Sequence, residues 1–394
     1  MKFERRNAQK YLRSFAKADR ITFLQSGSSF FNEFTAQIEA AKRSISIQTY
    51  KLDDEITGQK IAEALIRAVK RGVDVDLVVD GFGSIELNSE FENYLKVNGI
   101  QFRFFSKISL FKNLRIGRRL HHKIAVFDQQ TAMVGGINLA TKYEGTDSQK
   151  PWLDFGVLIE GSICKQFEKI CFLIEEKAFV GMPKQSPDVA TNFSATNINI
   201  RQNDWLRKRS QILRSYLMAV QNSEKSIILF ASYFLPGYRL RKALENAAKR
   251  GVKIKVVLSG ISDIPFFHNA SKYLYKWLQK NNIKVYEWTP TVLHAKLAVI
   301  DGEWMTIGSF NLNHLSAYAS IELNVDILSK PFVHEVTTKL KQLIEQGCEE
   351  IKYDPNTSWF IRMKQLSAYY SGRVLMNWIT FFPNIRNYYS KMVD

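Results

Sequence analysis

The sequence predicts an α/β protein made of two copies of one unit, related by a pseudo-twofold axis. Each copy is a mixed sheet flanked by helices, with a site at their interface. Three observations carry this. Residues 65–81 (LIRAVKRGVDVDLVVDG) and 244–260 (LENAAKRGVKIKVVLSG) each end a helix on Lys-Arg-Gly and enter a strand, 179 residues apart. Strand and helix periodicities alternate in the same order around both landmarks. One polar motif occurs once in each half.

Taken in order, the first half opens on the apolar strand Ser44–Tyr50 (SISIQTY). A helix then closes at Lys70-Arg71-Gly72, where the glycine suits a C′ position that prefers a left-handed backbone. A β-branched strand follows, then an amphipathic segment at Phe91–Val97 and a strand at Gln101–Phe105. The second half repeats the order with Ser226–Phe234, the helix ending at Lys249-Arg250-Gly251, its strand, Tyr273–Gln279 and Lys284–Trp288. Between them Pro183–Asn203 is rich in Ser, Asn, Asp and Thr, as a linker should be. The expected limits are a basic N-terminal segment 1–20, halves at 21–190 and 191–350, and an aromatic-basic tail at 351–394.

Composition narrows the partners. The chain has 394 residues, of which 45% are hydrophobic and 24% charged, which excludes a mostly disordered protein. Its net charge of +17 asks for an anionic partner, either nucleic acid or an anionic membrane. The 27 Phe, 16 Tyr and 7 Trp suit a membrane surface at least as well as a base-stacking groove. Cys164, Cys171 and Cys348 show no CxxC spacing, which argues against a disulfide framework or zinc site and for a reducing compartment. No apolar run reaches the roughly 18 residues of a transmembrane helix. Met1–Arg20 is basic without an apolar core, so it is not expected to be a signal peptide. A soluble or peripheral protein is the expectation.

The chemistry lies in the repeated motif. His121-His122-Lys123 leads to Asp128, and seven residues on comes Gly135-Gly136-Ile137-Asn138. His294-Ala295-Lys296 leads to Asp301, and seven residues on comes Gly308-Ser309-Phe310-Asn311. With six histidines in the chain, a single HxKxxxxD arises by chance about 0.02 times, so a matched pair with one tail is not an accident. On a strand, residues i and i+2 share a face, so His121 projects with Lys123 and His294 with Lys296. Asp128 and Asp301 fall at strand ends, where they are expected to close turns. Return strands should bring Asn138 and Asn311 back beside the imidazoles. Packed about a twofold axis, the halves would offer one pocket two imidazoles, two ammonium groups and two amides. That set fits a phosphodiester, with one His attacking phosphorus and the other protonating the leaving alcohol. No metal is needed, since HxK is not a zinc spacing and Lys is a poor ligand.

On these residues the chain resembles the phospholipase D superfamily, from about Ile21 to about Ile344. Within it the chain is most similar to bacterial cardiolipin synthases of the form lacking N-terminal transmembrane helices. The closer likeness rests on Asp80-Gly81-Phe82-Gly83-Ser84, Gly135-Gly136, Tyr233-Phe234-x-Pro236 and Asn311-Leu312-Asn313-His314-Leu315-Ser316 through Glu322. It departs where many cardiolipin synthases carry Asp-x-Arg-Ser after the second motif. The resemblance implies a phosphatidyltransferase joining two phosphatidylglycerols, or another phospholipid donor such as phosphatidylethanolamine and phosphatidylglycerol, through a phosphatidyl-histidine, with no cofactor. It further implies His121 as nucleophile, His294 as general acid, and Asn138, Asn311 and Ser309 as phosphate ligands. It also implies a carboxylate from the opposite half behind each histidine: Asp154, 33 residues after His121, for His294, and Glu322, 28 residues after His294, for His121. His122 and His314 read as bystanders.

Between residues 103 and 119 there are six cations and no acid, interleaved with aromatics; Arg115, Arg118 and Arg119 are the expected membrane contacts. The tail has the composition of an interfacial segment lying flat. The expected location is the cytoplasmic face of a bacterial inner membrane, peripherally bound, with nucleic acid an unlikely partner. The competing reading is a hydrolytic phosphodiesterase of the same superfamily acting on phospholipid or nucleic acid.

Overall fold

The computed structural model describes residues 15–107, 119–175, 196–204, 209–313, 316, 320–352 and 358–381. Two sheets carry the fold. The first holds β1 (Arg20–Gln25), β2 (Ser44–Thr49), β3 (Asp74–Asp80), β4 (Gln101–Phe105), β5 (Lys123–Phe127), β6 (Thr131–Gly135) and β7 (Phe155–Glu160), in the spatial order β1-β7-β6-β5-β2-β3-β4. The second holds β8 (Asn197–Asp204), β9 (Ser226–Ala231), β10 (Lys253–Ser259), β11 (Lys284–Trp288), β12 (Lys296–Ile300), β13 (Trp304–Gly308) and β14 (Ser320–Leu328). Its order β8-β14-β13-β12-β9-β10-β11 repeats the first strand for strand, including the parallel β2-β3-β4 and β9-β10-β11 edges. The duplication legible in the sequence is a duplication of topology.

Strands buried on both faces need apolar side chains on both, and these have them. Ile124, Val126, Phe155 and Val157 of the first sheet share one core with Ile228, Phe230, Leu297 and Val299 of the second. The Phe155 and Phe230 rings meet edge to face at 5.6 Å. The alternate residues, Ala125 and Phe127 or Ala298 and Ile300, point outward. There α1 (Ser28–Ala40) and α2 (Ile56–Lys70) cover the first sheet, and α3 (Gln211–Gln221) and α4 (Tyr238–Lys249) the second. The sheets therefore face one another, and the pocket described below lies between them.

Three expected boundaries shift. Ala16–Lys17 pairs with β8, so this part of the N-terminal segment belongs to the second sheet. Residues 197–203, expected as linker, lie in β8, because Ile198 and Ile200 alternate into the shared core. Cys348–Ile351 pairs with β11, which carries the second half past residue 350. The tail forms the helix α6 (Trp359–Phe381), which packs on α5 (Pro265–Tyr273) and buries Ala368 and Tyr369 in the second half's outer core. Its first turn exposes Trp359, Phe360, Ile361 and Met363. Among the described residues no helix is long and apolar enough to cross a membrane. Residues 108–118, with Arg115 and Arg118, lie outside the described residues, as does His314.

Candidate active site

The chain crosses between the halves at two matching points. Arg119–Leu120 pairs in parallel with Ser320–Ile321, and Leu153 forms a parallel bridge to Leu293. The His121 amide donates to the Ile321 carbonyl at 3.0 Å, and the His294 amide to the Leu153 carbonyl at 2.8 Å. Each histidine is thus delivered one residue past a bridge whose other strand delivers a carboxylate. His121 Nδ1 meets Glu322 Oε2 at 2.8 Å, and His294 Nδ1 meets Asp154 Oδ2 at 2.7 Å. Both carboxylates are fully buried, so each is set by its half and used by the other.

The residue before each histidine is held by an equivalent acceptor. Asp80, at the end of β3, accepts from the Leu120 amide at 2.8 Å, and Ser259, at the end of β10, accepts from the Leu293 amide at 2.8 Å. Asp80 also accepts from the amides of Phe82 and Gly83. Arg119, expected at a membrane, instead lies 3.8 Å from Asp80 with its guanidinium over the Phe82 ring. Its side chain is largely buried because the strand pairing pulls it inward.

The ammonium groups behave differently in the two halves. Lys123 Nζ donates to the His121 carbonyl at 3.0 Å, while Lys296 Nζ reaches the His294 ring nitrogens, the His294 carbonyl and, at 3.9 Å, Asp154. Burial pulls Lys123 down to about 7 and Lys296 to about 8, against the opposing pull of the carboxylates. Burial, reinforced by the Lys charges, also pushes both histidines below their ordinary range, His294 furthest. Asp154 is pushed up to about 7 by burial, with Lys296 opposing. Burial in the pocket therefore favours the neutral forms of these groups, and an anion placed among them would raise their proton affinity. Each half's Lys depresses the other half's His, so the two motifs form one site.

Other expected roles change, whereas Asp128 and Asp301, read from the sequence as the turn-closing residues of the motif, are not beside the imidazoles. Each sits at the far end of its strand, about 20 Å along by strand rise, with left-handed backbone. There Asp128 accepts from the amides of Lys42, Arg43 and Ser44, and Asp301 from those of Glu224, Lys225 and Ser226. They close turns, anchoring the starts of β2 and β9. Ser309 is not disposed as a phosphate ligand: it is fully buried and its hydroxyl donates to Glu322 Oε2 at 2.5 Å. Asn138 donates to the Tyr143 hydroxyl at 2.9 Å, which in turn lies 3.2 Å from His294 Nδ1. Asn311 accepts from the Ser232 hydroxyl at 2.8 Å. His122 bonds Gln48 in the core, the bystander expected.

The sequence did not single out Tyr50, Tyr143 or Tyr233 as pocket walls. Tyr50 meets His121 edge-on at 4.9 Å; Tyr143 and Tyr233 meet His294 edge-on at 5.4 and 6.4 Å. Tyr50 and Tyr143 had no sequence signal beyond position, next to a strand end or a few residues after the motif, while Tyr233 stood in the Tyr233-Phe234-x-Pro236 stretch without a role assigned to it.

A two-sheet body with crossed His–carboxylate pairs defines a phosphodiester-processing class of protein. Residues 34–160 and 216–344 match the family described as "Cardiolipin synthase, PLD-like domain". The chain belongs to that phospholipase D-like family. It is 30% identical over 383 residues to cardiolipin synthase B of Salmonella typhi, covering 92% of this chain and 91% of that protein. It is 29% identical over 380 residues to cardiolipin synthase B of Escherichia coli K12, covering 93% and 91%. Phosphatidylserine synthase of Haemophilus influenzae shares the fold, with a TM-score of 0.74 at 15% identity over 95% of this chain and 98% of that one.

Proposed function

We propose that the protein is a cardiolipin synthase-like phosphatidyltransferase that joins two phosphatidylglycerols and releases glycerol. The observation that carries this is the pair of imidazoles, each backed by the opposite half's buried carboxylate, with two depressed lysines around them. Glu322 and Asp154 fix Nδ1 of each ring, leaving Nε2 for chemistry. His121 is taken as the nucleophile, the role that the resemblance to the superfamily implies for the first motif. Its Nε2 forms a bond to phosphorus as the P–O bond to glycerol breaks, and His294 gives that alkoxide its proton. The acceptor hydroxyl then forms the new P–O bond, the P–N bond to His121 breaks, and the hydroxyl proton goes to His294. The phosphodiester's charge raises the proton affinity of His294, which readies it as the acid, and keeps both lysines protonated.

The reading extends to a peripheral seat on the cytoplasmic face of an anionic membrane. Support comes from the exposed apolar pair Phe82 and Ile85 after β3 and its counterpart Ile261 and Ile264 after β10. Tyr50 lies against Gly83, and Tyr233 bonds Asp263 at 2.7 Å, so both loops adjoin pocket-wall tyrosines. The test is product analysis with labelled phosphatidylglycerol in anionic vesicles, beside a DNA-cleavage assay in EDTA. Cardiolipin and glycerol are the expected products; phosphatidic acid alone, or cut DNA, would favour a hydrolase.

A further inference from the structure

Lys142 is a cation near the pocket that lies outside both motifs. It stands one residue before Tyr143, and its ammonium lies 3.8 Å from the centroid of the Trp152 ring. Trp152 in turn lies 6.2 Å from the His294 ring, so one indole neighbours both the ammonium and the imidazole. Nearby Lys51 is already neutralised by Glu86 at 2.8 Å. Among the described residues no carboxylate comes within 4 Å of Lys142. Burial and the Lys51 charge hold it below the usual lysine range, with the more distant Asp263, Glu86 and Asp53 opposing, and its own charge helps depress His294 and Lys296. The matching position of the second half is Leu315, so this charge exists on one side only.

A half-buried cation costs free energy unless an anion comes to it. The leaving glycerol is uncharged and gains nothing from Lys142. The second lipid does carry a charge, and its hydroxyl must reach His294, the group beside this indole.

We propose that Lys142, seated on Trp152, binds the phosphodiester of the acceptor lipid and so makes the second substrate a phospholipid rather than a small alcohol. This rests on the transferase reading above. It makes the two lipid sites unequal: the donor phosphate lies between the motif lysines, and the acceptor phosphate lies outside them on the His294 side.

The experiment compares wild type, Lys142→Met and Lys142→Arg with labelled phosphatidylglycerol as donor. Each is given either unlabelled phosphatidylglycerol or free glycerol as acceptor. Lys142→Met keeps the stem on Trp152 and removes the charge. Its ratio of lipid transfer to glycerol exchange should fall by about tenfold or more, through the KM for the lipid acceptor, and Lys142→Arg should restore much of it. An unchanged ratio, or a loss that Arg fails to rescue, overturns the proposal. Titrating dihexanoyl-phosphatidylglycerol into His121→Ala by calorimetry gives a second measure that needs no turnover. Two binding events should become one in the Lys142→Met background, and two retained events overturn it. If wild type forms no cardiolipin at all, the transferase reading is what fails, and the calorimetry decides on Lys142 alone.

Discussion

The two halves share strand order, motif spacing and a crossed carboxylate, yet they hold their carboxylates by different means. In the first, Asp154 is locked by its own neighbour, accepting from the Phe155 amide at 2.7 Å, and Gly136 leaves it room. A Cβ on Gly136 would come within 2.3 Å of Asp154 Oδ1. In the second, the equivalent of Gly136 is Ser309, whose hydroxyl binds the longer Glu322 at 2.5 Å. His121 thus has a carboxylate steadied by a hydroxyl, whereas His294 has one surrounded by Tyr143 and Lys296. Duplication kept the geometry and let the electrostatics around the two histidines diverge.

The largest effect should come from the histidines. His121→Ala or His294→Ala should each lower turnover at least about 10³-fold, because the two act as a unit. Rapid quench should trap label on His121 in wild type. Label on the peptide holding Lys296 would reverse the assignment.

Next is the exchange of the two supports. Gly136→Ser should displace Asp154 and cost about 10² in turnover, since an ångström of misplacement is enough. Adding Asp154→Glu should recover part of it, by rebuilding the second half's solution in the first. Steady-state assays of the single and double variants decide it, and a double variant no better than the single would show that the two supports are not interchangeable.

A smaller effect is the pH dependence. Lys123 at about 7 and Lys296 at about 8 shed protons from the buried pocket as pH rises, so anion binding weakens. KM should rise from pH 7 to 9 by up to about tenfold per pH unit for each lysine while kcat stays flat, because bound phosphodiester holds the protons on. A kcat that falls in step with the rise in KM would contradict this.

The smallest concerns the motif aspartates. Asp301→Ala should cost about 1–3 kcal/mol of stability from three orphaned amides, measured by urea unfolding. The surviving folded fraction should keep its pH profile.

Much of this was legible in the sequence because the motif is local. His121, Lys123 and Gly135–Asn138 fall within 18 residues, and strand alternation orders them. Asp154 and Glu322 were reachable only through resemblance, since their partners lie 140 and 201 residues away. Ser309 was misassigned because a hydroxyl beside a motif says nothing of which way it points. In the fold β14 brings Glu322 alongside it, and a buried carboxylate takes the nearest donor. Asp80 and Ser259 stand at matching positions of the 65–81 and 244–260 repeat but do one job with different chemistry, so residue type alone did not reveal the shared role. The start of β8 was hidden because a polar-looking run, Asn197–Asn203, alternates with isoleucines that only a facing sheet makes meaningful.

The crossed carboxylates also make the chain behave as an AND gate. A separated first half would carry His121 and Asp154 but neither ring would find its partner, and the second half would be silent for the same reason. Activity would then report that the two pieces have met. Cut in the stretch between β7 and β8 and fused to two other proteins, the halves would convert the proximity of those proteins into phosphodiester turnover.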